Sequence, residues 1–381
     1  MKPRPLWIEK IQYLWEQRSI VWLSGVRRVG KTVLCQQIPH AQYLNCDLPS
    51  IQRQLADPEF FLAQLDPAHP ILLDEIHQTR DPSQILKIAA DEYPTLRILA
   101  TGSSTLQATK KFRDSLAGRK YSIHLVPVLW RECGSHFGIS DLDRRLLNGG
   151  FPEMLLSPTP DESFFEEWLD SFFARDIQEL FGVRNRTGFL NLLELICLRS
   201  GGQLEISDLA KKAGMSRPTV MSHLDAMEIA HAITRIPPYH GGGQREVVKQ
   251  PRVFAFDTGL VSHIRGWEKI RDTDRGHLWE HIVFDELRTT YPRQAIHYWR
   301  DKSQREIDFV IERARGVVDT VEAKINPDAF EDSSLRYFRE LYPAGENFVV
   351  CPIVEKPYTI RQAKLQVHVC GIQHLCSARD H

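Results

Sequence analysis

The sequence predicts an α/β protein in three parts, and three observations carry that reading. Between residues 20 and 100 short apolar runs alternate with helical patterns. Residues 161–200 switch to aromatic and aliphatic side chains at helical spacing, and beyond Arg252 strands return around one strong helix. The parts are expected at 1–155, 156–250 and 251–381. With 42% hydrophobic and 25% charged residues the 381-residue chain reads as globular and too long for one small module. Its 48 basic side chains nearly cancel 49 acidic ones, which excludes coating of a polyanion through total charge but leaves room for a local basic patch.

No apolar stretch approaches the roughly 18 residues a membrane span needs, and Met1-Lys2-Pro3-Arg4-Pro5 leads into a charged amphipathic segment. A cytoplasmic protein with no membrane partner is expected. The seven cysteines are odd in number and include no Cys-x-x-Cys, so neither a disulfide framework nor a zinc ribbon is signalled.

The first part is expected to be a parallel sheet, because the runs at 20–23, 41–44, 71–73 and 96–100 are uniformly apolar, as strands covered on both faces are. A fifth run follows at 121–128. Helices are expected through Phe164, Trp168 and Phe172 and through Leu190, Leu193 and Ile196. Gly201-Gly202 breaks the pattern before a helix-turn-helix that ends near Ala230, and Pro237-Pro238 with Gly241-Gly242-Gly243 marks a loop or hairpin tip.

Between the first strand and the first crossover helix stands Gly25-Val26-Arg27-Arg28-Val29-Gly30-Lys31-Thr32, which fits G-x-x-x-x-G-K-[ST]. Glycines let backbone N–H groups curl around the phosphates of ATP; Lys31 reaches the terminal phosphates and Thr32 offers a hydroxyl to Mg²⁺. The run Ile71-Leu72-Leu73 ends in Asp74-Glu75, two acids that are costly on a buried strand unless a cation is served. Asp74 is expected in the Mg²⁺ shell and Glu75 as the base that orients and deprotonates water. The next strand ends in Thr101-Gly102-Ser103-Ser104, with Ser103 placed to sense the terminal phosphate.

Arg119, after Ser115-Leu116-Ala117-Gly118, stands just before the fifth strand. Here the sequence resembles the AAA+ P-loop ATPases. The resemblance implies that Arg119 is a finger inserted into a neighbouring subunit's nucleotide, hence a homo-oligomer; such a finger is worth roughly 10³ to 10⁵ in turnover. The other reading of Arg119 is a surface arginine capping a helix C-terminus. The whole chain is similar to a bacterial and archaeal family of P-loop ATPases whose C-terminal half is a domain of unknown function. The similarity rests on the phosphate loop with its paired arginines, Leu116-Ala117-Gly118-Arg119, Gly149-Gly150-Phe151-Pro152-Glu153, Arg175-Asp176-Ile177, Phe256-Asp257-Thr258-Gly259-Leu260 and Val321-Glu322-Ala323-Lys324.

The helix-turn-helix places Leu209 and Ala210 on its first helix, Gly214 at the turn, Ser216 as N-cap and Val220, Leu224 and Met227 on one face of the second helix. That leaves Arg217, Thr219, Ser222 and His223 outward, as on a recognition helix, and the apolar runs at 231–236 and 252–256 are expected to form a wing. Residues 199–252 hold eight Lys or Arg and five Asp or Glu, a local balance of +3. Duplex DNA is therefore an expected partner, held mainly by phosphate contacts from Lys211, Lys212, Arg217, Arg245 and Lys249. A winged helix can equally serve as a protein contact or a lid over the ATPase.

In the last part a helix carries Glu280, a strand Asp308, and the next strand Glu322-Ala323-Lys324. Glu322 and Lys324, two apart, share a strand face. The order resembles the PD-(D/E)xK nuclease core. The resemblance implies Mg²⁺ or Mn²⁺ on Asp308 and Glu322, completed by Glu280, with Lys324 polarising the attacking water. A strand-edge ion pair, Glu322 with Lys324 or with Arg305, is the plainer reading. The expected function is an ATPase that remodels or translocates on duplex or branched DNA, with possible cleavage. The alternatives are a nucleotide-dependent switch acting on a protein partner, with winged helix and inactive core as scaffold, and a plain DNA-binding regulator.

Overall fold

Ile20–Ser24 (β1) is buried at all five positions, as a strand with neighbours on both sides and helices on both faces must be. The computed structural model of the chain describes residues 2–102, 106, 109–159, 161–241, 249–362 and 365–377. Beside β1, Gln42–Asn45 (β2), Ile71–Asp74 (β3), Ile98–Thr101 (β4) and Lys120–His124 (β5) form one parallel sheet in the order β2-β3-β4-β1-β5. Strands β1, β3 and β4 sit centrally, and β3 brings Asp74 to the same sheet edge at which β1 runs into the phosphate loop.

Pro5–Trp15 (α1) starts on a proline, which the first turn tolerates, and buries Trp7, Ile11 and Trp15 at i, i+4 and i+8. Trp15 Nε1 donates to Ile98 O at 3.0 Å, tying α1 to β4. Under the sheet Trp22 meets Phe112 edge-to-face with centroids 4.7 Å apart. Burying side chains of this size contributes roughly 1.5–3 kcal/mol each. The fifth strand stops at His124 and not at Val128, because β5 is the sheet edge and pairs with β1 alone. Beyond it, Arg4 takes the Val126 carbonyl with both guanidinium nitrogens at 3.2 Å.

Two compact units share the chain: the stretches up to Val126, Glu167–Arg184 and Ile229–Ala232 make one, and Pro127–Glu166, Asn185–Glu228 and the chain from Ile233 onward the other.

In the second unit Ile206–Ala213 (α2) and Arg217–Ile229 (α3) flank Gly214, whose φ of 63° is the left-handed turn a glycine allows. Ser216 Oγ accepts from Thr219 N at 3.3 Å and caps α3. Ile233–Ile236 (β6) and Arg252–Ala255 (β7) pair antiparallel as a two-stranded ribbon. Asp272–Thr290 (α4), nineteen residues long, covers a mixed sheet of Ile296–Arg300 (β8), Glu306–Ala314 (β9), Val317–Ala323 (β10), Asn347–Val350 (β11), Tyr358–Gln362 (β12) and Leu365–Cys370 (β13), ordered β12-β13-β11-β10-β9-β8.

Gly149-Gly150 and Asp257-Thr258-Gly259, two of the motifs behind the family resemblance, turn out to be one structure. Gly149 has φ 77°, and a Cβ there would lie 1.9 Å from Asp257 Oδ1 and 2.7 Å from Gly259 N. Asp257 Oδ2 accepts from Gly150 N at 2.7 Å while Oδ1 accepts from Gly259 N at 2.8 Å, so one buried carboxylate joins two loops. Arg145, fully buried, bonds Val128 O through Nε and NH2 and Thr258 Oγ1 through NH1. Helix α4 adds Glu286, which accepts from Arg131 N at 3.1 Å and faces its guanidinium at 2.9 Å, and Arg275, whose Nε meets Asp143 at 2.8 Å. No helix among the described residues is long and apolar enough to cross a membrane.

Candidate active site

The loop after β1 bends through Gly25 (φ 153°), Arg28 (φ 61°) and Gly30 (φ 98°) before the helix Lys31–Cys35 begins. At Gly25 a Cβ would come within 2.7 Å of Leu125 O, so the loop can pass there only as glycine. Such alternation of backbone angles turns successive N–H groups toward one point, the geometry of an anion nest. Lys31 Nζ donates to Gly25 O at 2.8 Å and Val26 O at 3.2 Å, so the ammonium lies across the loop. Burial lowers its pKa below the ordinary value, against the opposing charges of Glu75, Asp176 and Asp74.

Asp74, only 2% exposed, is ringed by hydroxyls. It accepts from Thr32 Oγ1 at 2.8 Å, from Tyr43 OH at 2.7 Å and from Thr101 Oγ1 at 2.5 Å. Thr32 and Asp74 are thus within hydrogen-bond distance of each other at the mouth of the phosphate loop. A hydroxyl and a carboxylate so placed, with phosphate oxygens and waters for the rest, fit an octahedral Mg²⁺. Burial and the Asp74 hydrogen bond together push the Tyr43 phenol pKa up, so Tyr43 stays a neutral donor to that carboxylate.

Glu75 occupies the left-handed region (φ 55°, ψ 42°), a conformation that costs a non-glycine residue roughly 1–3 kcal/mol and concentrates at functional sites. The kink turns its side chain out of the strand register. Its N–H donates to Thr101 Oγ1 at 3.0 Å, and its Oε2 lies 3.1 Å from His77 Nδ1. Burial alone would raise its pKa, but His77, Lys31 and Arg27 outweigh burial and hold it below the ordinary range. A half-buried carboxylate kept ionised and steered by a histidine can orient a water and accept its proton. Tyr43 and His77 were not singled out from the sequence; each sits on an element whose pattern signals only packing.

Arg119 is engaged within its own chain: Nε lies 2.5 Å and NH2 3.0 Å from the two Asp91 oxygens, and NH1 donates to Ser115 O at 3.3 Å. The last contact is the helix-capping role that competed with the finger. Ser103 and Arg245 lie outside the described residues.

On the helix-turn-helix, Lys211, Lys212, Arg217, Thr219 and Lys249 are all exposed, with Lys212 3.2 Å from Asp208 and Thr219 Oγ1 bonded to Ser216. His223 corrects the expectation. It is 8% exposed, packs on Phe189 with ring centroids 5.3 Å apart, and has its pKa lowered by burial. It lies three residues after Val220 on a helix whose buried stripe also takes Leu224, Ala226 and Met227, so it faces inward.

Among the C-terminal acids Glu280 has a partner the sequence did not indicate. Glu280 is bound to the Arg252 guanidinium, which reaches Gly201 O at 2.6 Å, Asp308 O at 3.3 Å and Glu306 at 3.5 Å. Burial pushes the Glu280 pKa up to about 8 although Arg252 pulls it down. Asp308 and Glu322 converge instead on Lys324, whose Nζ stands 3.2 and 2.8 Å from them. Burial and then Asp308 push the Glu322 pKa well up, and the two acids hold the Lys324 ammonium charged against burial. The described residues contain no group of three or more His, Cys, Asp or Glu able to hold a metal ion. Asp308, Glu322 and Lys324 nonetheless meet one another, as the resemblance implies, whereas Glu280 is bound to Arg252.

Three family models match the chain. One, described as an AAA domain, covers residues 17–134; two domains of unknown function, DUF8612 and DUF4143, cover 139–271 and 275–373. The chain is 26% identical over 306 residues to the uncharacterized protein Rv2008c of Mycobacterium tuberculosis, covering 77% of this chain and 67% of that one. To the uncharacterized protein MJ1544 of Methanocaldococcus jannaschii it is 22% identical over 326 residues, covering 76% and 71%. Among solved structures it is similar to a Walker-type ATPase of Pyrococcus abyssi, at 16% identity and a TM-score of 0.45, covering 70% of this chain and 96% of that one. To an Orc1 protein of Aeropyrum pernix in complex with DNA the identity is 10% and the TM-score 0.28, covering 70% and 93%.

Proposed function

We propose that this chain, whose first unit is built on an AAA+-like P-loop ATPase domain, hydrolyses ATP and couples the hydrolysis to remodelling or translocation on duplex or branched DNA. The observation that carries the first half is the meeting of Lys31, Thr32, Asp74 and Glu75 at one end of the parallel sheet. In this reading Lys31 leaves the Gly25 and Val26 carbonyls for the terminal phosphates, and the loop amides take the remaining oxygens. Mg²⁺, when bound, offsets phosphate charge, and Thr32 and Asp74 are the residues placed to hold it. Glu75 orients water and takes its proton at Oε, with His77 fixing the carboxylate.

The second half rests on the exposed basic face of α2 and α3, read as the helix-turn-helix of a winged helix with β6 and β7 as its ribbon. Its affinity comes from phosphate contacts and so from salt-dependent counterion release. ATPase rate measured on single-stranded, duplex, forked and four-way DNA tests the coupling. Duplex-containing DNA is expected to raise the rate at low salt, and the Lys211→Ala/Arg217→Ala double variant to lose the stimulation and flatten the log–log salt slope by about 2. A rate indifferent to every DNA overturns the coupling.

We also infer that Arg119 acts on a neighbouring copy, which requires it to exchange Asp91 for phosphate. Mixing Arg119→Ala with Lys31→Ala protein then restores part of the activity, since wherever a Lys31→Ala copy presents its Arg119 to the site of an Arg119→Ala copy the pair is intact; mixtures as inactive as their components count against assembly. No cleavage step is assigned to the C-terminal core, where Glu280 is paired with Arg252 and Lys324 stands between Asp308 and Glu322.

A further inference from the structure

Both arginines of the phosphate loop already have acidic partners. Arg27 Nε lies 2.7 Å from Asp176 Oδ2, and Arg28 NH2 lies 2.8 Å from Glu167 Oε2. Trp168 Nε1 donates to Arg27 O at 3.2 Å. All three partners belong to Glu167–Arg184, the short stretch that packs in the ATPase unit. It is helical to Phe172 and then widens into a π-helical turn, Phe173–Gln178, an irregularity frequent at functional positions. Trp168, fully buried, stacks on Phe172 at 4.8 Å, so aromatic packing seats the stretch while its acids meet the loop.

The Asp176 pair is no ordinary surface ion pair. Its side chain is 14% exposed and feels Lys31 and Glu75 as well as Arg27. Burial raises its pKa although Arg27 and Lys31 pull it down. A terminal phosphate bound at Lys31 would bring negative charge into the same neighbourhood, where like charges repel strongly and a guanidinium is the natural bidentate partner of either anion.

Resting on the nucleotide-site reading above, we propose that Asp176 is a positioning residue of that site, a carboxylate that competes with the terminal phosphate for Arg27 and releases the Glu167–Arg184 stretch when it loses. The stretch is continuous on both sides with segments of the other unit, Pro127–Glu166 and Asn185–Glu228, so its hold on the loop is passed through two peptide junctions. Arg27 thereby reports the third phosphate to the rest of the chain.

The test titrates the full chain with a non-hydrolysable ATP analogue and with ADP. Asp176→Asn is expected to tighten the triphosphate Kd about tenfold, equivalent to about 1.4 kcal/mol, and the diphosphate Kd far less. Glu167→Gln, which removes the more exposed pair, shifts Kd the same way by less and in a salt-dependent manner. An unchanged or weaker triphosphate Kd in folded Asp176→Asn protein, or an equal gain for ADP, overturns the proposal. Hydrogen exchange on the unmutated protein decides independently of whether the variant folds: exchange in 167–184 should rise on adding the triphosphate, and unchanged or slower exchange refutes the release. If the unmutated protein binds no nucleotide, the reading of the site itself falls. If it binds and neither variant nor exchange responds, only the role of Asp176 falls.

Discussion

Glu75→Gln should leave nucleotide bound and slow its hydrolysis about 10²- to 10⁴-fold, the usual worth of a positioned general base. That is about 3–5 kcal/mol in activation free energy. Glutamine keeps the shape, the left-handed backbone and a hydrogen bond to His77, but it cannot take the proton. Phosphate release measured beside a nucleotide titration separates the two effects. A variant within about threefold of the parent turnover would mean that water is activated elsewhere. The prediction is sharp because Asp74, the adjacent acid, cannot deputise: it is buried and already bonded to three hydroxyls.

The largest expected loss of stability lies away from the phosphate loop, at Gly149. Alanine there sets a methyl 1.9 Å from Asp257 Oδ1 at a φ of 77°, so either the carboxylate or the loop must move. Moving Asp257 abandons the buried N–H groups of Gly150, Gly259 and Leu260. Strain, clash and unpaired groups together cost about 4 kcal/mol or more. At roughly 2–4 °C per kcal/mol for a domain of this size, the melting temperature should fall by about 8–15 °C. Gly138→Ala is the matched control: its φ is 72° and a Cβ there meets nothing within 4 Å, so backbone strain alone costs about 1 kcal/mol. If the two variants melt together, the carboxylate lock is not what fixes the loops.

The parts of the site that follow one another in the chain were legible. Gly25 to Thr32 and Asp74-Glu75 carry their chemistry in consecutive residues, and uniformly apolar strands announced a parallel sheet. The helix-turn-helix was readable for the same reason, since its cap, turn glycine and apolar stripe are local signals. Partnerships across long sequence distances were not. Arg27 and Asp176 stand 149 positions apart, and only the folded chain shows that they meet. Arg252 was counted toward a basic patch, but it is buried against Glu280. His223 misled because a polar residue within a helical repeat is equally compatible with a wide buried face. The order of acids in the last part showed that Asp308, Glu322 and Lys324 would be neighbours but not that Arg252 would claim Glu280.

The lock between Gly149 and Asp257 and the reach of Asp272–Thr290 also bear on how this architecture is inherited. The two uncharacterized stretches recognised by family models end and begin near the start of that helix, at residues 271 and 275. Yet the helix plants Glu286 on Arg131 and Arg275 on Asp143, beyond that border. Cutting the gene there would strand a fully buried glutamate without its arginine, a loss of roughly 3–5 kcal/mol for the part that keeps the glutamate. Arg131 belongs to the stretch matched by the AAA domain and Asp143 to the first uncharacterized stretch, so this one helix is tied to both of the matched regions that precede it.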